Sequence, residues 1–272
     1  MSTLQQIAVL GIAVAASVPS VAAAQTAKEK EAQVWGFPDL RTSYCVHFVI
    51  EPRVASRELK SGFRLVPASQ DRTLHPALQR MIQHQPEFGP WSPSQLCFYF
   101  SDAVQVGTHR VAEKNVRNQQ MLAVWTIATQ EEKTGSRRDL ALGVFGRGGL
   151  KRAAELAGVR LHEATATVVD SAEGANDVYS IKLERTSLIW RGRPTGDSAR
   201  VEKPVQESWW ISGSRTGALV GDFRYQPQWN RALVGSLTVE GKGDLSKALK
   251  GSPIRFVGPL YRGGSAELRF TR

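Results

Sequence analysis

The stretch VQESWWISGSRTGALVGDFRY, residues 205 to 225, places two tryptophans side by side in a run of strand-forming residues. Neighbouring side chains of an extended strand leave on opposite faces, so Trp209 and Trp210 cannot both lie against one surface. Alternation assigns Val205, Glu207, Trp209 and Ile211 to one face and Gln206, Ser208, Trp210 and Ser212 to the other. The first face reads as core with an acid set into it. The second is polar and carries an indole, which either meets solvent and ligands or is buried by a second layer of chain. That choice decides whether the sheet is packed on one side or on both.

Outward from this stretch the texture is β on both sides. EATATVVD, VYSIKLERTSLIW, ALVGSLTVE, PIRFVGPLY and SAELRFT follow one another at short intervals with turn residues between them. Upstream, SYCVHFVI, QLCFYF and QMLAVWTIAT are apolar strand-like runs. In the first of these Tyr44, Val46, Phe48 and Ile50 share one face while Cys45, His47 and Val49 share the other. Gly263 and Gly264 stand where a two-residue turn needs positive φ, which predicts a closing hairpin before SAELRFT. One amphipathic helix is predicted from about Leu74 to Gln85, with Leu74, Leu78, Met81 and Ile82 on one stripe and Pro86 as its stop. A second, LKRAAELAG, ends at Gly158. The expectation is a β-rich α+β domain over residues 35–272, with predominantly antiparallel sheets in a sandwich or partly open barrel and two or three short helices. The polar stretch 130–139 is the best candidate for an internal boundary.

Residues 1–24 read as an export signal, with the apolar run IAVLGIAVAASV ahead of the small residues VAAA. The start carries no Lys or Arg, so an uncleaved anchor is the rival reading. Residues 25–34 read as a flexible leader. No second apolar run has spanning length, so no integral membrane span is expected after signal cleavage. Cys45 and Cys97 are the two cysteines of the chain and, in an exported protein, are expected to pair; in a reducing compartment they would be two buried thiols.

The formal net charge is +10, and the excess is uneven. Residues 137–160 carry Arg137, Arg138, Arg147, Lys151, Arg152 and Arg160 against Asp139 and Glu155. Such a balance suits an anionic polysaccharide, a lipid headgroup, another envelope component or nucleic acid, or it supplies solubility alone. The turn FGRGGLKR offers Gly146, Arg147, Gly148, Gly149, Lys151 and Arg152 as an anion-binding candidate between a strand and a helix. The spacing fits neither a dinucleotide fingerprint nor a nucleotide P-loop, so no nucleotide and no cofactor are expected.

Metal binding has no motif behind it, because the five histidines show no HExxH or His-x-His spacing. The nucleophile elbow GxSxG is absent as well. Cys45 and His47 share a strand face, but a disulfide would consume the thiol. Paired carboxylates impose no sequence spacing; among the acids Glu207 stands out, since burial on an apolar face would raise its pKa. The ordinary alternatives for Glu207 are an arginine partner or an edge position in solvent. Trp210 and Trp229, with Arg224 and Tyr225, are the ligand-binding candidates, aromatic planes set among polar groups. The functional expectation is an exported, non-catalytic binding protein of the cell envelope for anionic or amphipathic ligands. The alternatives are an exported glycosidase-like hydrolase with paired carboxylates and a structural or assembly component.

Overall fold

The computed structural model describes residues 33–106, 109–112, 120–147, 150, 151, 154, 159–169, 177–214 and 217–271. The expected export segment lies outside them, as do most of the expected leader, Gly148, Gly149, Arg152 and the expected helix end at Gly158. The described strands are β1 (Gln33–Phe37), β2 (Leu40–Ile50), β3 (Phe63–Leu65), β4 (Ser92–Ser101), β5 (Ala103–Val106), β6 (His109–Ala112), β7 (Gln120–Glu131), β8 (Arg137–Arg147) and β9 (His162–Val169). They continue with β10 (Asp177–Leu183), β11 (Thr186–Arg200), β12 (Val205–Ser214), β13 (Gly217–Gln226), β14 (Trp229–Gly241), β15 (Arg255–Val257), β16 (Leu260–Arg262) and β17 (Ser265–Thr271). Among the described residues three short helices join them: α1 (Pro52–Glu58), α2 (Pro76–His84) and α3 (Asp244–Gly251).

The organising element is a septum of four antiparallel strands, β2, β4, β7 and β8. One rung across it reads Tyr44, Phe98, Ala123, Phe145, and the next reads Cys45, Cys97, Val124, Val144. The first rung belongs to one core, with Tyr179 and Trp190; the second belongs to another, with Trp35, Trp209, Phe223 and Phe270. Both faces of the septum are therefore packed. This is why its strands are apolar at nearly every position and do not alternate with polar residues, as a sheet wetted on one side does.

Two circuits of hydrogen-bonded strands leave the septum and return to it. The outer edge of β8 is divided between them: its first half pairs in parallel with β12, at Asp139 opposite Trp209, and its second half pairs in parallel with β9, at Phe145 opposite His162. The division falls at a bulge, where Leu142 is skipped between the partners of Trp125 and Thr126. From β9 the first circuit runs through β10, β11, β14 and β16 back to β2. From β12 the second runs through β13, β17, β1 and β5, and β5 continues β4 past Asp102. The expected β-rich, mostly antiparallel architecture holds, in a barrel-like form.

Both tryptophans find cover. Trp209 is 1% exposed, 5.4 Å from Phe223 in a stacked pair, inside the second core. Trp210 does not stand open on a polar face, because β3 pairs along β7 and Phe63 lies edge-on over the indole at 5.0 Å. The indole is half-buried against the first core. Alternation was right about the faces; a three-residue strand from far upstream decides that the second face is covered.

The expected closing hairpin does not form. Gly263 and Gly264 have φ of +71° and +89°, as a tight turn demands, but the strands they join are not a hairpin. β16 pairs with β2 and β14, whereas β17 pairs with β1 and β13, so the two glycines pass the chain from one circuit to the other. A Cβ on Gly264 would stand 2.0 Å from the Gln226 carbonyl oxygen, which leaves glycine as the residue that fits. The polar stretch 130–139 holds the turn between β7 and β8, whose register continues from Gln130 opposite Arg137. Gln33 and Val34, expected in the leader, already pair with Phe270 and Arg269.

Helix α2 begins at Pro76, two residues after its predicted start near Leu74. Pro76 occupies the first turn, where its missing N–H costs nothing. His75 is the N-cap, its Nδ1 accepting a hydrogen bond from the Ala77 N–H at 3.1 Å. Leu78 and Ile82 pack with Val49 and Ile254, which lays the helix over the end of the septum and brings His75 beside His47.

Candidate active site

A half-enclosed chamber of about 290 Å³ opens at the end of the septum where α2 crosses it. Its walls come from β2, the segment leading into α2, β4, β7, β8, β12, β13 and β16. Glu207 on β12 is one of three acids that line it, with Asp71 and Asp139. The Tyr99 hydroxyl donates to Glu207 Oε2 at 3.0 Å and the Trp209 indole N–H donates to the same oxygen at 3.2 Å. Burial raises the Glu207 pKa to about 7; the hydrogen bond from Tyr99 works against burial, the charge of Asp139 reinforces it, and hydrogen bonds from Trp209 and Tyr225 oppose it. The sequence reading of an acid on an apolar strand face, with a raised pKa, is what the chamber contains.

Around this acid sit neutral rings. His47, on β2, stacks on Phe256 with centroids 4.8 Å apart and lies 5.0 Å from the His75 ring. Burial, reinforced by His75, depresses the His47 pKa to about 3 against a hydrogen bond with the Gly258 backbone. His75 is lowered too, by burial and then by Arg80. Tyr225 and Tyr261 face each other edge-on at 5.6 Å, and burial followed by the charge of Glu207 raises both phenols.

Arg137 closes one side, with 32% of its side chain exposed. Its Nη2 donates to Asp71 Oδ2 at 2.8 Å and its Nη1 donates to Asp139 Oδ1 at 2.6 Å. Asp71 also accepts from the Thr73 N–H at 2.9 Å and hydroxyl at 2.7 Å. Burial pushes Asp71 up, but the hydrogen bonds from Arg137 and Thr73 outweigh it and hold the carboxyl below its usual range. For Asp139 burial wins over Arg137, and its pKa is raised.

The Cys45–Cys97 disulfide forms, between residues directly opposite on β2 and β4, and Cys45 lines the chamber floor. The two sulfurs and a Glu207 oxygen lie within 4.8 Å of one another, close enough for a metal trio, but the sulfurs are bonded to each other. The same bond removes Cys45 as a nucleophile for His47. Ser94 is engaged as well, its hydroxyl donating to the Thr126 carbonyl at 2.6 Å and accepting from the Trp125 indole at 3.0 Å.

The ligand candidates read from the sequence do not converge. Tyr225 is 3% exposed and faces the chamber. Trp229 is 48% exposed and borders a separate shallow depression with Pro227 and Gly264, while Arg224 borders a third with Gln105 and Glu267. In the anion-binding candidate, Gly146 is buried, Arg147 donates to the Ala166 carbonyl at 2.7 Å, and Lys151 lies 3.8 Å from Glu163. Sequence reasoning missed His47, His75, Tyr99, Tyr261 and the Arg137 cluster as parts of one site. The signal for His47 was a histidine alternating with Cys45 and Val49 in an apolar strand; the others come from distant segments with no shared motif.

No protein-family model matches the chain, and no curated protein matches its sequence. Solved structures align with it at low identity. Acetoacetate decarboxylase from Legionella pneumophila aligns at 9% identity over 86% of this chain and 84% of its own, with a TM-score of 0.48. The enduracididine biosynthesis enzyme MppR complexed with pyruvate aligns at 8% identity over 88% of each chain, with a TM-score of 0.46. An acetoacetate decarboxylase-like enzyme from Sphingomonas wittichii aligns at 13% identity over 88% of this chain and 90% of its own, also at 0.46. The expectation of a non-catalytic envelope-binding protein is corrected on the geometry: Trp229 and Arg224, on which it rested, border separate depressions, while the chamber gathers Glu207, Asp71, Asp139, His47 and His75.

Proposed function

We propose that this chain is an enzyme that moves protons on a small polar substrate held in the chamber, with Glu207 as the general acid or base. The observation that carries the reading is a carboxyl buried among Tyr99, Trp209 and Tyr225, facing a cavity and titrating at about 7. A group poised near the working pH is both a competent donor and a competent acceptor. Covalent routes find little in these walls. A Schiff base needs a lysine amine, and among the described residues no lysine lines the chamber. The cysteines are bridged and the Ser94 hydroxyl is engaged. Isomerase- or lyase-type proton transfer is the chemistry these groups support.

In the proposed step, ionised Glu207 takes a proton from a carbon beside a carbonyl, and protonated Glu207 returns it at the same or a neighbouring atom. Tyr99 and Trp209 hold the carboxyl in place, and the depressed basicity of His47 and His75 keeps them neutral hydrogen-bonding walls. The test is deuterium exchange, followed by NMR in D₂O on a panel of small neutral, cationic and anionic carbonyl compounds. Catalysed exchange is expected for at least one, reduced by about 10²- to 10⁴-fold in Glu207→Gln. Exchange no faster than in buffer for every compound would reject the proposal.

We also propose that the enzyme works after export. The apolar segment before Gln25 and the formed disulfide support this. Mass spectrometry of the exported protein should find a mature N-terminus near Gln25.

A further inference from the structure

The charge inventory of the chamber specifies what it can hold. Among the described residues its walls carry one cation, Arg137, and three carboxylates, Asp71, Asp139 and Glu207. Arg137 is spent on Asp71 and Asp139, held between them by donations of 2.8 and 2.6 Å. The two histidines face the cavity as neutral rings, and the remaining titratable wall groups are the phenols of Tyr225 and Tyr261, with Tyr99 behind Glu207. Among the described residues, a carboxylate or phosphate entering this space would meet no unengaged positive group and three acids set against one guanidinium. A cation would meet the opposite arrangement: acids on β8 and β12, phenol oxygens, and aromatic faces that favour positive charge.

We propose that the chamber selects a small organic cation, an amine or amidinium group, over a carboxylate of the same shape. This rests on the reading of the chamber as the active site and names its substrate class. It also separates the interior from the outer surface, since the chain as a whole carries a net charge of +10 while the chamber lining is net acidic. The bulk positive charge acts on ligands at range and is screened by salt; the lining acts at contact.

Acetamidinium, acetamide and acetate form a planar trio that differs mainly in charge. Titrated into the full-length protein by calorimetry at pH 8 and fixed ionic strength, acetamidinium should bind about tenfold or more tighter than acetamide, and acetate weakest of the three. The preference should shrink in Glu207→Gln and in Asp139→Asn, and in wild type it should fall as pH is lowered from 8 to 6. Acetate binding as tightly as the cation, or three equal affinities, including no measurable binding by any, would overturn the proposal. The wild-type trio decides the matter even where a variant fails to fold. Binding is read without turnover, so cation preference with no proton exchange would leave the ligand class standing and remove the catalytic reading, and the reverse outcome would do the opposite.

Discussion

At the scale of single residues the chamber makes a stability signature. Folded Glu207 holds its proton up to about pH 7, while the unfolded chain releases it near 4.5. Between those values the folded state binds more protons than the unfolded one, so stability falls as pH rises across that window, by roughly 3 kcal/mol for this group. Asp139, also raised, acts in the same direction. His47, depressed to about 3, acts in the opposite sense: its contribution is lost as pH falls below the imidazole's ordinary value. The net curve therefore hides each term, and the difference between wild type and Glu207→Gln isolates one. Urea unfolding at pH 5 and pH 8 should show the variant gaining on wild type by a few kcal/mol at the higher pH. Equal changes in the two proteins would mean that the carboxyl ionises at its ordinary value. Glu207 was legible because a strand's period of two put an acid in an otherwise apolar series. Asp71, Asp139 and Arg137 were not, because each sits in an ordinary polar stretch and gains meaning only when β8 and the approach to α2 are brought together.

At the scale of elements, β2 and β4 are tied twice, by their ladder and by the disulfide. Closing 52 residues of sequence stabilises the fold by about 4 kcal/mol in the chain-entropy model. The double variant Cys45→Ala/Cys97→Ala should lose an amount of that order in denaturant midpoint, and reduction of the wild type should reproduce it. A loss under about 1 kcal/mol would place the stabilisation in the ladder and its packing. The pairing was legible from two cysteines in apolar strands; their direct opposition on neighbouring strands was not. The pair Gly263 and Gly264 teaches the complementary lesson. Their positive φ values follow from local sequence. Whether the flanking strands pair with each other depends on which edges are free, and β17 finds β1 and β13 while β16 finds β2 and β14. Strand identity is a local property, and strand partnership is a property of the whole sheet.

At the scale of the molecule, the septum gives both cores a common wall. Tyr44 and Cys45 are neighbours in sequence and belong to different cores, as do Phe98 and Cys97. Neither circuit can lose its packing without stripping one face of the strands the other needs. The described region should therefore unfold in one transition, with calorimetric and van't Hoff enthalpies in agreement. Two resolved transitions, one sensitive to Trp190→Ala and the other to Trp209→Ala, would show independent halves. The doubly apolar strands announced burial on both sides. What the sequence left open was the return path of each circuit, because the parallel contacts of β9 and β12 share one edge of β8 and no local pattern signals that division.

The chamber takes its walls from positions as far apart as Cys45 and Tyr261. A gene cut at a central loop, such as that after Arg200, would put His47, Arg137 and the disulfide on one polypeptide and Glu207, Tyr225 and Tyr261 on the other. Neither fragment would own a usable cavity, and any regained chemistry would report that the two pieces had found each other. The interior acid is thus a built-in sensor of correct assembly.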